Sequence, residues 1–162
     1  MWRFVNDYEW TAGEFKLLFD RIYSNAEDIN TLWQLGGATN DYLRRGVDTF
    51  PVPVDLAKRL LGSDNVEARV VGLKLYNRCS VPEANIVAEI VRALNRPEEY
   101  ERYGGLYEAG NLIDRCRDSC VRLAVADVES LVAAIGAFAN GRDDNDQRVA
   151  RDRIMCLRSL CG

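Results

Sequence analysis

The segment from Leu60 to Cys79 reads LLGSDNVEARVVGLKLYNRC, and it restricts the fold more than any other part of the chain. It contains the end of one helix, a tight turn and the start of a second helix. Gly62 stands where a helix C-cap favours a residue that tolerates positive φ, and the side-chain oxygen of Ser63 or Asp64 can cap the second helix. Val66, Val70, Leu73 and Tyr76 or Asn77 then recur at a three–four spacing, which lays one apolar stripe along a helix over 64–79. A pair of short helices cannot bury such stripes alone and needs neighbours stacked on both sides. The expected fold is therefore all-α, built from seven to nine helices packed as antiparallel pairs.

Two internal echoes support a repeated architecture. Asp143, Asp144, Arg148, Val149 and Ala150 fall 79 residues after Asp64, Asn65, Arg69, Val70 and Val71, and Ile154 matches Leu75. The counterpart of Leu73 is Asp152, which does not match. Ile86, Val87, Ala88, Ile90 and Asn95 return as Leu131, Val132, Ala133, Ile135 and Asn140, an offset of 45. An offset of 45, or half of 79, is the period of two-helix solenoid repeats. Arg69 and Arg148 would hold equivalent places, each pairing with a carboxylate or a carbonyl across a turn.

On these residues, the stretch 53–161 resembles a HEAT-like repeat. The shared pattern is a short helix, a tight turn carrying Asp, then Arg five residues on, opening a helix of small and aliphatic residues. The resemblance implies a curved helical solenoid. It implies little about activity, because the pattern serves many unrelated functions.

At 162 residues the chain is read as one all-α domain, with 1–50 as an aromatic-rich N-terminal cap and 53–161 as the repeats. Ten of the fifteen aromatics lie in the first fifty residues, where they can seal the open end of the core. Thr11 and Glu14 form a capping box ahead of Phe15, Leu18, Phe19, Ile22 and Tyr23. A second helix from Asn25 turns Ile29, Leu32 and Trp33 inward and stops at Gly36-Gly37. A short one comes next over 40–45. Phe50-Pro51-Val52-Pro53 cannot continue a helix and reads as the joint to the repeats. Helices are then expected over 54–61 and 64–79, followed by one that Val81-Pro82-Glu83 opens, with proline in its first turn, and Asn95-Arg96-Pro97 closes. Gly104-Gly105 is read as a break before one long helix over 106–123. Asp127 is read as the cap of Val128–Ala139, which is apolar nearly all round, and the last helix is placed over 149–160.

The composition removes several classes of chemistry. The chain contains no histidine, and so lacks the commonest general base, the usual Ser or Cys triad and the commonest zinc ligand. It has no P-loop, and its glycine pairs are too short for a dinucleotide fingerprint. Cys116, Cys120, Cys156 and Cys161 are the one metal-like constellation, but their spacing suits core residues better than a zinc site. The acidic runs Glu98–Glu101 and Asp143–Asp146 lack the glycine and terminal glutamate of an EF-hand loop. No catalytic residue, metal or cofactor is assigned, and the cysteines are expected to be reduced. No stretch approaches the length of a membrane span, and the N-terminus carries charges where a signal peptide would be apolar, so a cytoplasmic protein is expected.

The formal net charge is −4, with eight acids against five bases in residues 1–50. An acidic chain is a poor binder of phosphate backbones, and the alternation of arginines with Asp114, Asp118 and Asp152 favours pairing within and between helices. A non-enzymatic protein-binding module is the expected function. A small acidic chain of this kind is also similar to bacterial immunity proteins, some of them HEAT-like, and that similarity implies a partner with a basic surface such as a toxic nuclease. The candidate contacts are Glu27, Asp28, Asp41 and Asp48, with Trp33 and Tyr42 as aromatic anchors. A generic adaptor is the alternative, followed by a nucleic-acid binder or a lyase-type enzyme on the same scaffold.

Overall fold

The computed structural model describes Leu17, residues 54–79, 81–140 and 143–160. Among the described residues of 54–160 every regular element is a helix: α1 (Val54–Leu61), α2 (Val66–Tyr76), α3 (Glu83–Leu94), α4 (Glu99–Asp118), α5 (Val125–Ala139) and α6 (Asp144–Leu160). The helices expected before residue 53 lie outside the described residues, apart from Leu17, which is helical and exposed. The chain divides into two compact units, Met1–Ser80 and Val81–Gly162.

In the first unit α1 packs against α2, burying Leu56, Ala57 and Leu60. Gly62 closes α1 by donating its N–H to the Lys58 carbonyl at 3.1 Å, without a left-handed φ. The cap of α2 is neither Ser63 nor Asp64 but Asn65, whose Oδ1 accepts from the Ala68 N–H at 3.1 Å. Ser63 Oγ instead accepts from the Asn65 N–H. Arg69, buried in the first turns of α2, reaches back over the connection. Its Nη1 donates to the carbonyls of Ser63 and Asp64, both at 3.0 Å. Two residues of α1 then meet α2 backbone to backbone at Gly72. A β-carbon there would stand 2.7 Å from the Leu61 nitrogen and 2.8 Å from the Leu60 β-carbon, closer than packed atoms allow.

The second unit repeats this construction. In the pair α3–α4, Arg102 Nη1 donates to the carbonyls of Arg96 at 3.2 Å and Pro97 at 2.6 Å. Gly105 lies against the end of α3, where a β-carbon would be 3.0 Å from Leu94 Cγ and 3.1 Å from the Leu94 nitrogen. In both pairs four residues join the helices, the arginine is the fourth residue of the second helix, and the glycine follows the first helix's last residue by eleven. The sequence Arg-x-x-Gly-Leu accordingly stands twice, as RVVGL from Arg69 and RYGGL from Arg102, 33 residues apart. The pair α5–α6 keeps the four-residue spacing and places Ala150, fully buried, eleven residues after Ala139.

This register corrects the expected equivalence of Arg69 and Arg148. The counterpart of Arg69 is Arg102, and the corresponding place in α6 is Gln147. Arg148 is exposed and donates to Asn145 Oδ1 within its own helix. The offset of 79 is one residue too long, because α6 starts at Asp144 behind the cap Asp143, whose Oδ1 accepts from the N–H groups of Asn145 and Asp146. The offset of 45 corresponds to a physical likeness between α3 and α5. Ile86, Ile90, Leu131 and Ile135 are all buried, while Asn95 and Asn140 both cap their helices and donate Nδ2 to Val91 and Gly136 carbonyls four residues back.

Within this unit α3 packs on α4 and on α5, α5 packs on α6, and α4 packs on α6. The first helices of the two pairs thus form one layer and the second helices another. Leu94, Leu106, Leu112, Ile113, Val128 and Leu157 are among the side chains enclosed.

Other expected boundaries shift for identifiable reasons. Gly104-Gly105 does not break a helix; α4 runs through both, because Gly105 is needed for contact with α3 rather than for a turn. The helix stops at Asp118 instead of continuing to 123. Cys120 adopts a left-handed φ of 53°, and the N–H groups of Cys120 and Val121 return to the carbonyls of Arg117 and Cys116, a Schellman closure. Asp127 lies inside the first turn of α5, which starts two residues earlier. That helix is also not buried all round: Val125, Ala126, Ala133 and Ala137 are exposed.

Two contrasts in urea unfolding check this construction. Arg69→Ala and Arg102→Ala should each lower stability by about 1.5–3 kcal/mol, the range for hydrogen bonds to charged groups, whereas Arg148→Ala should stay within about 0.5 kcal/mol. Gly72→Ala should cost about 1–3 kcal/mol through forced separation of the helices. Gly136, where an added β-carbon meets nothing within 4 Å, should instead gain about 0.5–1 kcal/mol on conversion to alanine.

Candidate functional site

The expected partner contacts Glu27, Asp28, Trp33, Asp41, Tyr42 and Asp48 all lie outside the described residues. Within the described residues, aromatic and charged side chains gather along the seam between α4 and α6. These two helices run side by side in the same direction, because Tyr103 meets Asp146 and Gly110 meets Arg153, both pairs 43 residues apart.

Tyr100, Tyr103 and Tyr107 follow each other at intervals of three and four and therefore share one face of α4. Their exposures are 45%, 38% and 47%. Tyr103 is held at both ends. Its ring stands edge-on to Phe138 at the end of α5, with centroids 5.7 Å apart and planes at 62°, and its hydroxyl donates to Asp146 Oδ2. That hydrogen bond, with some desolvation and the nearby carboxylates of Asp146, Glu99 and Asp143, pushes the phenol up to about 12.

Arg153 reaches from α6 across the gap that Gly110 leaves in α4. A β-carbon at residue 110 would collide with the guanidinium, so the glycine makes room for the charge. Burial pulls the group below the ordinary arginine range, and Asp114, Cys156, Tyr107 and Glu108 act in the opposite direction. Its Nε is buried without a hydrogen-bond partner. Glu108 is itself buried, and its Oε1 accepts from Asn111 Nδ2 at 3.1 Å. Glu101, also buried, sits 3.7 Å from Arg96 Nε, an ion pair between α4 and the α3–α4 connection.

Cys79, Cys116, Cys120 and Cys156 are free thiols, and Cys161 lies outside the described residues. Cys79 is buried, donates to the Leu75 carbonyl at 3.5 Å and is pushed by burial up to about 11. Burial also raises Cys116, with Arg115 opposing and Glu83 adding to the shift. Among the described residues no three His, Cys, Asp or Glu side chains are grouped to hold a metal ion, and no helix is long and apolar enough to cross a membrane. The seam supplies aromatic faces, carboxylates and a fixed guanidinium, which are groups suited to recognition.

Two features are not apparent from residue patterns alone. The tyrosine ladder is hidden by the expected break at Gly104-Gly105; a helix continued through both glycines displays its three–four spacing at once. The paired Arg-x-x-Gly-Leu segments share an arginine, a glycine and a leucine, and few of the residues around them match, so the recurrence does not stand out. Comparison with protein-family models, with curated proteins and with solved structures gave no match for this chain.

The thiols provide a direct check of the local electrostatics. Only the thiolate alkylates readily, so at pH 8 the raised Cys79 and Cys116 stay protonated and unreactive while exposed Cys120 is modified before either. Mass spectrometry after timed iodoacetamide treatment should show this order; early labelling of Cys79 would contradict its burial.

Proposed function

We propose that the chain is a non-enzymatic protein-binding module on a HEAT-like stack of helix pairs, acting in the cytoplasm as an immunity protein that masks the basic active site of a toxic nuclease. The observation that supports this reading is the repeated hairpin: one turn clamp and one close glycine contact, built twice 33 residues apart, with a third pair that keeps the four-residue connection. A scaffold made by repetition spends its sequence on holding a surface in place, and such stacks commonly use that surface to grip another protein. The acidic balance favours a basic partner and faster association with it. In this proposal the first contacts come from Glu27, Asp28, Asp41 and Asp48, with Trp33 and Tyr42 as anchors. An adaptor of unrelated partners would use the same scaffold and differ only in what it holds.

Co-expression with the product of an adjacent toxin gene should restore growth, and the two proteins should co-purify. Asp28→Lys with Asp41→Lys should then slow association at low salt and leave the melting temperature nearly unchanged. A toxin that remains lethal in the presence of the chain would remove the immunity reading. Binding unaffected by the charge reversal would move the contact surface away from the N-terminal third.

A further inference from the structure

We infer that the α4–α6 seam is an interaction surface for a cationic protein segment, with the rings of Tyr100, Tyr103 and Tyr107 receiving arginine or lysine side chains beside the carboxylates of Glu99 and Asp143. The inference rests on the protein-binding reading and extends it to a face far along the sequence from the N-terminal contacts.

Half of the large hydrophobic side chains exposed among the described residues lie on this one face of α4, and all three are tyrosines. Scattered exposed apolar residues need no explanation, but three at a helical repeat form a continuous strip. The strip is not adaptable. Tyr103 is fixed by the Phe138 ring on one side and the Asp146 carboxylate on the other, so its ring is presented without further loss of freedom on binding.

The charges around the strip select the occupant. Glu99 stands one helical turn before Tyr103 on α4, and Asp143 three residues before its partner Asp146; both are exposed, and with Asp146 they act electrostatically on the Tyr103 phenol. A tyrosine face already attracts a cation through its quadrupole, and adjacent carboxylates add to that attraction. An anionic segment would meet both the ring faces and these carboxylates unfavourably. Arg153 sets the far limit of the strip, because its half-buried guanidinium lies beside Tyr107. Arginine is the better-matched guest, since its planar guanidinium can stack on a ring while its donors reach a carboxylate.

The test uses the full chain and a fluorescein-labelled nona-arginine peptide, with anisotropy read at low and at physiological salt. Tyr100→Ala with Tyr107→Ala leaves the Tyr103 supports intact and should weaken binding about tenfold, the worth of two exposed cation–π contacts. Glu99→Gln with Asp143→Asn, whose Oδ1 still caps α6, should weaken it by a similar factor, while Glu67→Gln with Glu129→Gln, which removes the same charge elsewhere, should change it less than about twofold. Equal weakening by both acid pairs would reduce the effect to net charge and overturn the inference, as would unchanged binding by the double tyrosine variant or no binding at all. Sedimentation of the free chain covers the remaining occupant: concentration-dependent dimerisation abolished by the tyrosine substitutions would assign the face to a second copy instead. Loss of peptide binding leaves toxin protection untouched, and loss of toxin protection leaves the peptide result standing, so the two readings fail separately.

Discussion

Backbone contact between paired helices is the constraint that organises this molecule. At Gly72 the second helix of a pair approaches Leu60 and Leu61 so closely that a single β-carbon would stand under 3 Å from the neighbouring main chain. Gly105 approaches Ala93 and Leu94 in the same register, and Ala150, the next smallest residue, is fully buried at the corresponding place in the third pair. Interiors pack near crystal density, so this spacing fixes which side chains interdigitate along the rest of each pair. Leu73, Leu75 and Tyr76 around the first glycine and Leu106 and Ala109 around the second are buried as a result.

The arginine clamp solves a separate problem at the same joint. A four-residue connection leaves its own carbonyls outside the ladder of either helix, where they need other donors. Arg69 and Arg102 each serve two of them with one nitrogen from the fourth position of the next helix. Since that position projects back over the turn, the side chain ties the connection to the helix it leads into. In the α3–α4 pair the buried carboxylate of Glu101 adds a second tie through Arg96. The α5–α6 pair, with Gln147 in the arginine's place, uses Asp143 to cap its second helix instead.

The sequence discloses these features unevenly, and the unevenness has physical causes. Val54–Leu61, the start near Glu83 and the ends at Asn95 and Asn140 can be read directly, because prolines and asparagines act on the backbone within one or two residues. Gly104-Gly105 misleads because a glycine that permits a turn and a glycine that permits close packing are the same residue; only the neighbour, Leu94, distinguishes them. The 45-residue echo is legible since Ile86 and Leu131 occupy equally buried places in adjacent helices. The 33-residue recurrence is not, because its shared content is one Leu and two residues that act on the backbone, Arg and Gly, amid side chains that differ between the units. The tyrosine strip depends on the same misread glycines. The N-terminal acids and aromatics proposed as first contacts are legible only as composition, and composition does not say which of them share a surface.

The seam between α4 and α6 follows from this architecture. Parallel second helices bring Tyr103 to Asp146 and Arg153 to Gly110, so the spacing set by the small residues also sets the arrangement of the exposed face. The central claim is that both hairpins are closed by one recurring guanidinium clamp. The most direct test is NMR of the arginine side chains at low temperature in the intact chain. Arg69 and Arg102 should show separately resolved Nη–H signals with slowed Cζ–Nε rotation and contacts to the turn residues, while Arg148 gives one averaged signal. Averaged, rapidly exchanging signals for Arg69 and Arg102, indistinguishable from those of Arg148, would contradict the clamp.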